Sequence, residues 1–286
     1  MHSLSTARPR ESGDPGPRSL DSRFPPSRSR ATADDKPAEA RASERRLCRG
    51  NERSKVAARY LQQACCLLIV FLLALPAAAQ TPPGAAELQA YRGLHAAAAK
   101  GDVAEIERLV KSGAPIDPRD GRARTPLHVA AFMHKLDAAR ALMRLGADPN
   151  ALEAQKYDIV TIAAVADDVP MLKVGLEGGC KAGNITSPYY GTALIAAAHL
   201  GHDEVVRTLI AAKAPLDHVN NLGWTAVIES IVLGDGGKRH VATLKALVDA
   251  GASVNLADRS GETPLTLAKR RGFKEMVAIL EKAGGK

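Results

Sequence analysis

Few residues in this 286-residue chain have the type and spacing for chemistry. His199 and His202 are three apart, which sets two imidazoles on one helix face within reach of one metal ion. No third ligand follows at a helical spacing and the pair recurs nowhere, so scaffold is the better reading. Gly234-Asp235-Gly236-Gly237-Lys238 has the glycines of a phosphate cradle, but it joins two predicted helices and lacks the spacing of a nucleotide loop. Asp167-Asp168 could work as paired acids, yet they stand at a predicted helix start, where capping accounts for them. Cys180 follows Gly178-Gly179 with no cationic neighbour to activate a thiol, so a small residue in a turn is expected there. No Ser-His-Asp or Cys-His set is nominated by spacing. The expectation is no enzyme, no catalytic residue, no metal and no cofactor.

The elements that must hold these residues repeat. Arg92-Gly93-Leu94-His95 returns as Thr125-Pro126-Leu127-His128, then as Asp158-Ile159-Val160-Thr161, Thr192-Ala193-Leu194-Ile195, Thr225-Ala226-Val227-Ile228 and Thr263-Pro264-Leu265-Thr266. The steps are 33, 33, 34, 33 and 38 residues, a period that specifies a stacked array. In each unit the threonine caps a short helix and proline suits its first turn. Alanine pairs follow (Ala130-Ala131, Ala163-Ala164), then a break, then a second helix with apolar residues at helical spacing, such as Val205, Val206, Leu209 and Ile210. Gly113, Gly146, Gly179, Gly251 and Gly284 end those second helices, and glycine takes the left-handed cap without strain. Lys213 stands in that slot in the fourth unit. The five extra residues of the fifth unit are expected in the Gly234–Lys238 stretch.

Thr-Pro-Leu-His, the alanine pair, Gly201-His202 before a second helix, Gly-Ala-Asp-Pro-Asn at 146–150 and Gly-Ala-Ser-Val-Asn at 251–255 are together specific. On them the chain resembles the ankyrin-repeat family over residues 88–286. The resemblance implies an all-α solenoid of about six helix–turn–helix units with hairpin loops, at about 91–119, 120–153, 154–186, 187–219, 220–257 and 258–286. It implies that His95 and His128 tie loops together. The third unit lacks the threonine and carries Pro170, so the third and fourth units should be the least regular; the first and last should cap the stack.

The formal charge of +8 is concentrated in front of the repeats: residues 1–79 hold 14 Lys/Arg against 8 Asp/Glu, residues 80–286 hold 25 against 23. Arg119, Arg122 and Arg124 on one hairpin and Lys269, Arg270 and Arg271 near the end are local patches with mixed signs around them, not a nucleic-acid footprint. Residues 1–55 are rich in Ser, Pro, Arg and Glu without periodicity and are expected to be a disordered basic leader, or an artefact of a start site placed too early, with Val56 the alternative start. Arg59, the apolar run 64–75, Pro76 and Ala77-Ala78-Ala79 have the parts of a secretory signal peptide over 56–79, cleaved between Ala79 and Gln80. Residues 80–87 then form a linker. The run is short for a membrane span. Export to the bacterial periplasm, or secretion, is expected; an inner-membrane anchor through 64–79 is the alternative.

The resemblance places exposed, variable positions just before each threonine slot and just after each alanine pair. Before the slot stand Arg124, Tyr157, Gly191, Trp224 and Glu262. After the pair stand Phe132 and Met133, Val165 and Ala166, His199 and Leu200, Val232 and Leu233, and Arg270 and Arg271. The middle of that row is apolar and aromatic, and exposed apolar strips with aromatic anchors mark binding surfaces. The competing reading is that Phe132, Leu200 and Leu233 fill space between helices. The function expected is therefore a non-catalytic module that binds an unidentified protein, with no nucleic acid and no stable membrane insertion after processing. A membrane-anchored or cytosolic regulatory scaffold with a basic tail is the alternative.

Overall fold

The computed structural model describes residues 80–286; the expected leader, signal segment and cleavage site at Ala79 lie outside them. Within them the chain is helical, with one isolated antiparallel bridge between Thr186 and Gly191. A short helix α1 (Ala85–Ala90) precedes six helix pairs. They are α2 (Gly93–Lys100) with α3 (Val103–Lys111), α4 (Pro126–Phe132) with α5 (Leu136–Arg144), and α6 (Ile159–Val165) with α7 (Val169–Glu177). Then come α8 (Ala193–Leu200) with α9 (Asp203–Ala211), α10 (Ala226–Val232) with α11 (Lys238–Asp249), and α12 (Pro264–Arg271) with α13 (Lys274–Lys282). First helices pack on first helices and second helices on second, giving two layers. No helix among the described residues is long and apolar enough to cross a membrane.

Local sequence sets where each first helix begins. The side chains of Thr125, Asp158, Thr192, Thr225 and Thr263 each accept the backbone N–H three residues on, and each such cap contributes about 1 kcal/mol. Asp158 thus replaces threonine in the third unit without loss of the cap. Pro170 falls in the first turn of α7, where no backbone donor is needed. The alanine pairs are buried in one core cluster with Ile106, Leu142, Leu172 and Leu209 of the second helices. Small side chains there let the layers approach closely. The second helices end on left-handed residues, among them Gly146 (φ 102°) and Lys213, which keeps the glycine geometry at φ 61°. Five of the seven non-glycine residues with positive φ (Lys156, Asp167, Ser187, Tyr190, Lys213) fall in 154–219, so strain is concentrated in the third and fourth units.

One expectation needs correction. The extra residues of the fifth unit are not confined to 234–238: α11 has 12 residues where the other second helices have 9, and the connection before it absorbs the remainder. Adding length to an existing helix costs no further nucleation. Residues 80–87, expected as a linker, lie against the repeats. Their C-terminal part enters α1, Pro83 is buried, and Gln80 Nε2 donates to the Thr161 carbonyl at 3.0 Å.

Candidate functional site

Five hairpins join the six units, and most are built on one device. Asp120 Oδ1 accepts the N–H groups of Arg122 and Arg124 at 2.8 and 2.9 Å. Glu153 does the same for Gln155 and Tyr157, Asn220 for Leu222 and Trp224, and Asp258 for Ser260 and Glu262. In the longer third hairpin Thr186 holds that slot, and Ser187 Oγ takes the N–H groups of Tyr189 and Gly191 instead. Backbone bonds then lock neighbouring hairpins together: Ala154 N–H to Arg122 O, Ser187 N–H to Lys156 O, and Asn221 N–H to Tyr189 O.

The residue just before that slot points outward. It is Leu152, Ile185 and Val219 in three consecutive hairpins, exposed by 37, 55 and 50 %. Tyr189 and Tyr190, at 46 and 55 %, extend from the third hairpin. The Lys156 ammonium lies 5.0 Å from the Tyr190 ring centroid, and His218 Nε2 donates to the Tyr190 carbonyl at 2.7 Å. These five side chains form an apolar and aromatic row on a rigid support. Sequence reasoning missed them because their types suit a core. The available signal was register: each aliphatic stands one residue before the hairpin's polar slot, where the first and last hairpins have Arg119 and Ala257.

The expected strip is placed differently. Trp224, Phe132, Met133, His199, Leu200, Val232 and Leu233 are all half-buried, and Trp224, Phe132 and Val232 pack against the core. Val165 and Glu262 are half-buried too, Gly191 is buried, and Ala166, Arg270 and Arg271 are exposed. Tyr157 and Arg124 are buried, which corrects the expected exposure of both. Tyr157 is 3 % exposed within the core cluster, and burial pushes its hydroxyl up to about 12. Arg124 is fully enclosed. Its guanidinium donates to Asp120 Oδ2 (2.7 Å), Glu87 Oε1 (2.5 Å) and the Thr81 carbonyl (3.2 Å), so its charge is paired by groups that sequence periodicity could not foresee.

The remaining titratable groups serve the scaffold. His128 Nδ1 accepts the Thr125 N–H, and Nε2 donates to the Ala151 and Tyr157 carbonyls at 3.0 and 3.1 Å; burial pushes its pKa down to about 4. His95 Nε2 bonds the Arg124 carbonyl at 2.9 Å. These are the loop ties the resemblance implied. His202 Nδ1 donates to the Ala164 carbonyl, while His199 Nδ1 stands 3.6 Å from Glu229 Oε2. Among the described residues no group of three or more His, Cys, Asp or Glu side chains could hold a metal ion. Asp168 caps α7 and Asp167 pairs with Arg239 at 2.8 Å. Cys180 is buried with its Sγ donating to Asp158 Oδ2, and burial holds the thiol far above its usual range. The basic clusters are largely spent on the protein itself: Arg119 donates to the Ala123 and Leu152 carbonyls, Lys269 and Arg270 pair with Glu281 and Glu262, and Arg271 donates to Val232 O and Gly234 O. A shallow groove of about 500 Å³ lies away from the hairpins, between α9 and α11, lined by Arg207, Ile210, Lys245 and Asp249 among others.

The model for ankyrin repeats in three copies matches residues 56–153 and 160–258, and that for ankyrin repeats in many copies matches 236–281. The putative ankyrin repeat protein YahD of Escherichia coli is 32 % identical over 189 residues, covering 66 % of this chain and 94 % of that one. The crystal structure of an ankyrin repeat domain from Acinetobacter baumannii is 41 % identical with a TM-score of 0.65, covering 68 % of this chain and 98 % of that one. The structure of the ankyrin repeat protein EF0377 is 27 % identical with a TM-score of 0.62, covering 67 % and 98 %. Ankyrin repeats generally mediate protein–protein contact without catalysis, and this chain belongs to the ankyrin-repeat family.

Proposed function

We propose that the chain is an exported, non-catalytic module that captures a partner protein along its first-helix face and hairpin tips. The single observation that carries this is the row Leu152, Ile185, Tyr189, Tyr190 and Val219: large apolar groups exposed at successive hairpins whose backbones are bonded to one another. Large apolar groups exposed at neighbouring hairpins of a rigid frame favour a partner over solvent. Trp224 and the half-buried row beside it supply shape and further aromatic contact. Export rests on the signal-like segment 56–79, with processing between Ala79 and Gln80 into a periplasmic or secreted form.

The test is crosslinking of tagged protein in cells, followed by fractionation and mass spectrometry of the captured partner and of the mature N-terminus. Replacing Tyr189, Tyr190 and Val219 together by Ser should weaken capture at least tenfold, and Trp224→Ala by more than about 1 kcal/mol, with helix content unchanged. Capture unaffected by both changes rejects this surface. A chain that still carries residues 56–79 in the membrane or cytosolic fraction rejects export by cleavage and supports the anchored or cytosolic scaffold.

A further inference from the structure

Arg124 owes its enclosure to a segment that precedes the first helix pair. Two of its three acceptors, the Thr81 carbonyl and Glu87 Oε1, come from residues 80–91. The rest of that segment follows the same course across two units. Gln80 Nε2 donates to the Thr161 carbonyl, Thr81 N–H to Gln155 Oε1 at 3.2 Å, and Tyr91 O–H to Asp120 Oδ2 at 2.6 Å. Arg122 Nε lies 3.5 Å from Glu87 Oε1. These partners are up to 81 positions away in the chain, so the segment is laid along the repeats rather than joined locally.

What holds it is almost wholly polar. Helix α1 buries none of its residues, and Pro83 is the one buried residue of 80–91. By contrast α2, immediately after, buries four. A segment with so little buried apolar surface opens at a lower free energy than the stack it lies on. Arg124 stays in place without it, because Asp120 of its own hairpin holds the guanidinium. The surface left behind would offer two guanidinium groups, a side-chain amide oxygen for a backbone N–H, and the Thr161 carbonyl.

We propose that residues 80–91 are an intramolecular ligand: they fill a peptide site made by Arg124, Gln155 and Thr161, and a partner enters that site with a proline-containing acidic segment, extended at its start and helical where it carries the carboxylate, that displaces them. The identity of that partner segment rests on the interaction reading above; the self-occupancy does not. Its chemistry is dictated by what sits there now. A backbone N–H and C=O come first, the Pro82-Pro83 pair keeps the next stretch extended, and a carboxylate follows at the position of Glu87.

The probe is a fluorescein-labelled peptide of residues 80–91, titrated by anisotropy against the full chain. Glu87→Arg sets a cation against Arg124 and Arg122 and releases the segment. It should bind the added peptide at least tenfold more tightly than the wild type, whose site is already filled. Adding Gln155→Ala to that chain should reverse most of the gain, and a peptide carrying Arg at position 87 should bind at least tenfold more weakly. Equal affinity for wild type and Glu87→Arg, absent binding to both, or binding indifferent to the peptide's charge overturns the proposal. Should Glu87→Arg fail to fold, the wild type suffices: excess unlabelled peptide should speed hydrogen exchange at the Thr81 amide about tenfold, and unchanged exchange overturns it. No partner is present in either assay. Failure therefore removes the self-ligand and leaves the interaction module, whereas loss of tip-dependent capture removes the module and leaves the self-ligand.

Discussion

Glu229 lies on α10 with 4 % of its surface exposed. Asn220 Nδ2 donates to Oε1 at 2.8 Å, but Oε2 is buried without a hydrogen-bond partner. The groups facing it are Asn220 from the hairpin and His199 from α8, whose Nδ1 at 3.6 Å is beyond hydrogen-bond reach. His240 of α11 stands behind, bonded to the His199 carbonyl. Burial raises the Glu229 pKa from 4.5 to about 7, against a smaller lowering by Asn220. His199 is itself pushed down, first by burial and then by His240 and His202, so its charge offsets little of this. Between pH 4.5 and 7 the folded chain holds a proton there that the unfolded chain has released. Stability therefore falls as pH rises through that window, and the loss is complete above it. A shift of that size corresponds to about 3 kcal/mol. For an array of this length 1 kcal/mol is worth roughly 2–4 °C in Tm. Glu229→Gln keeps the shape and the acceptor for Asn220 and removes the titration. Melting of both chains at pH 5, 6, 7 and 8 should show the variant gaining on the wild type by roughly 5–10 °C between the two ends. A difference that is flat with pH would refute the argument, because the buried oxygen would then be solvated or paired by a group not identified above.

Other outcomes follow from the same contacts. His128 behaves oppositely to Glu229: its folded pKa of about 4 lies below the ordinary 6.5, so the stability it supports is present above pH 6.5 and is lost as pH falls toward 4. His128→Gln should flatten that limb of the melting profile while lowering Tm at pH 7 through the lost ties to Ala151 and Tyr157. Lys213→Gly should raise stability by about 0.5–1 kcal/mol in urea unfolding, since the left-handed backbone at 213 suits glycine. Cys180 should resist thiol reagents in the native chain, read by mass mapping of its own peptide, and react only on unfolding.

The fold was legible because its signals are local and repeated. Caps at Thr125, Asp158, Thr192, Thr225 and Thr263, alanines between layers and left-handed turns at fixed offsets each specify one unit, and stacking follows from six of them. The fifth unit was misplaced in detail because helix length is not encoded by a single residue. Glycines at 234, 236 and 237 suggested an open loop, yet α11 begins immediately after them and runs longer than its counterparts.

The exposed surface was harder to read, and the reason is directional. Residue type alone says that Tyr157 can anchor a partner and that Leu152, Ile185 and Val219 can fill a core. The hairpin device inverts both. Glu153 draws the Tyr157 backbone N–H inward and His128 takes its carbonyl, so that side chain turns into the stack. Position 152, one residue before the bonded slot, is left outside. Arg124 fails for a second reason: its partners Thr81 and Glu87 lie 43 and 37 residues away, before the first helix pair, and the repeated motif carries no counterpart of them. The two errors can be separated by one comparison. Tyr157→Ala should lower stability by about 3–5 kcal/mol, as expected for removal of a buried aromatic. Ile185→Ser on the tip should leave stability within about 0.5 kcal/mol. Near-equal costs would mean that the hairpins do not set which side chains face inward, and the assignment of the exposed row would fall with that result.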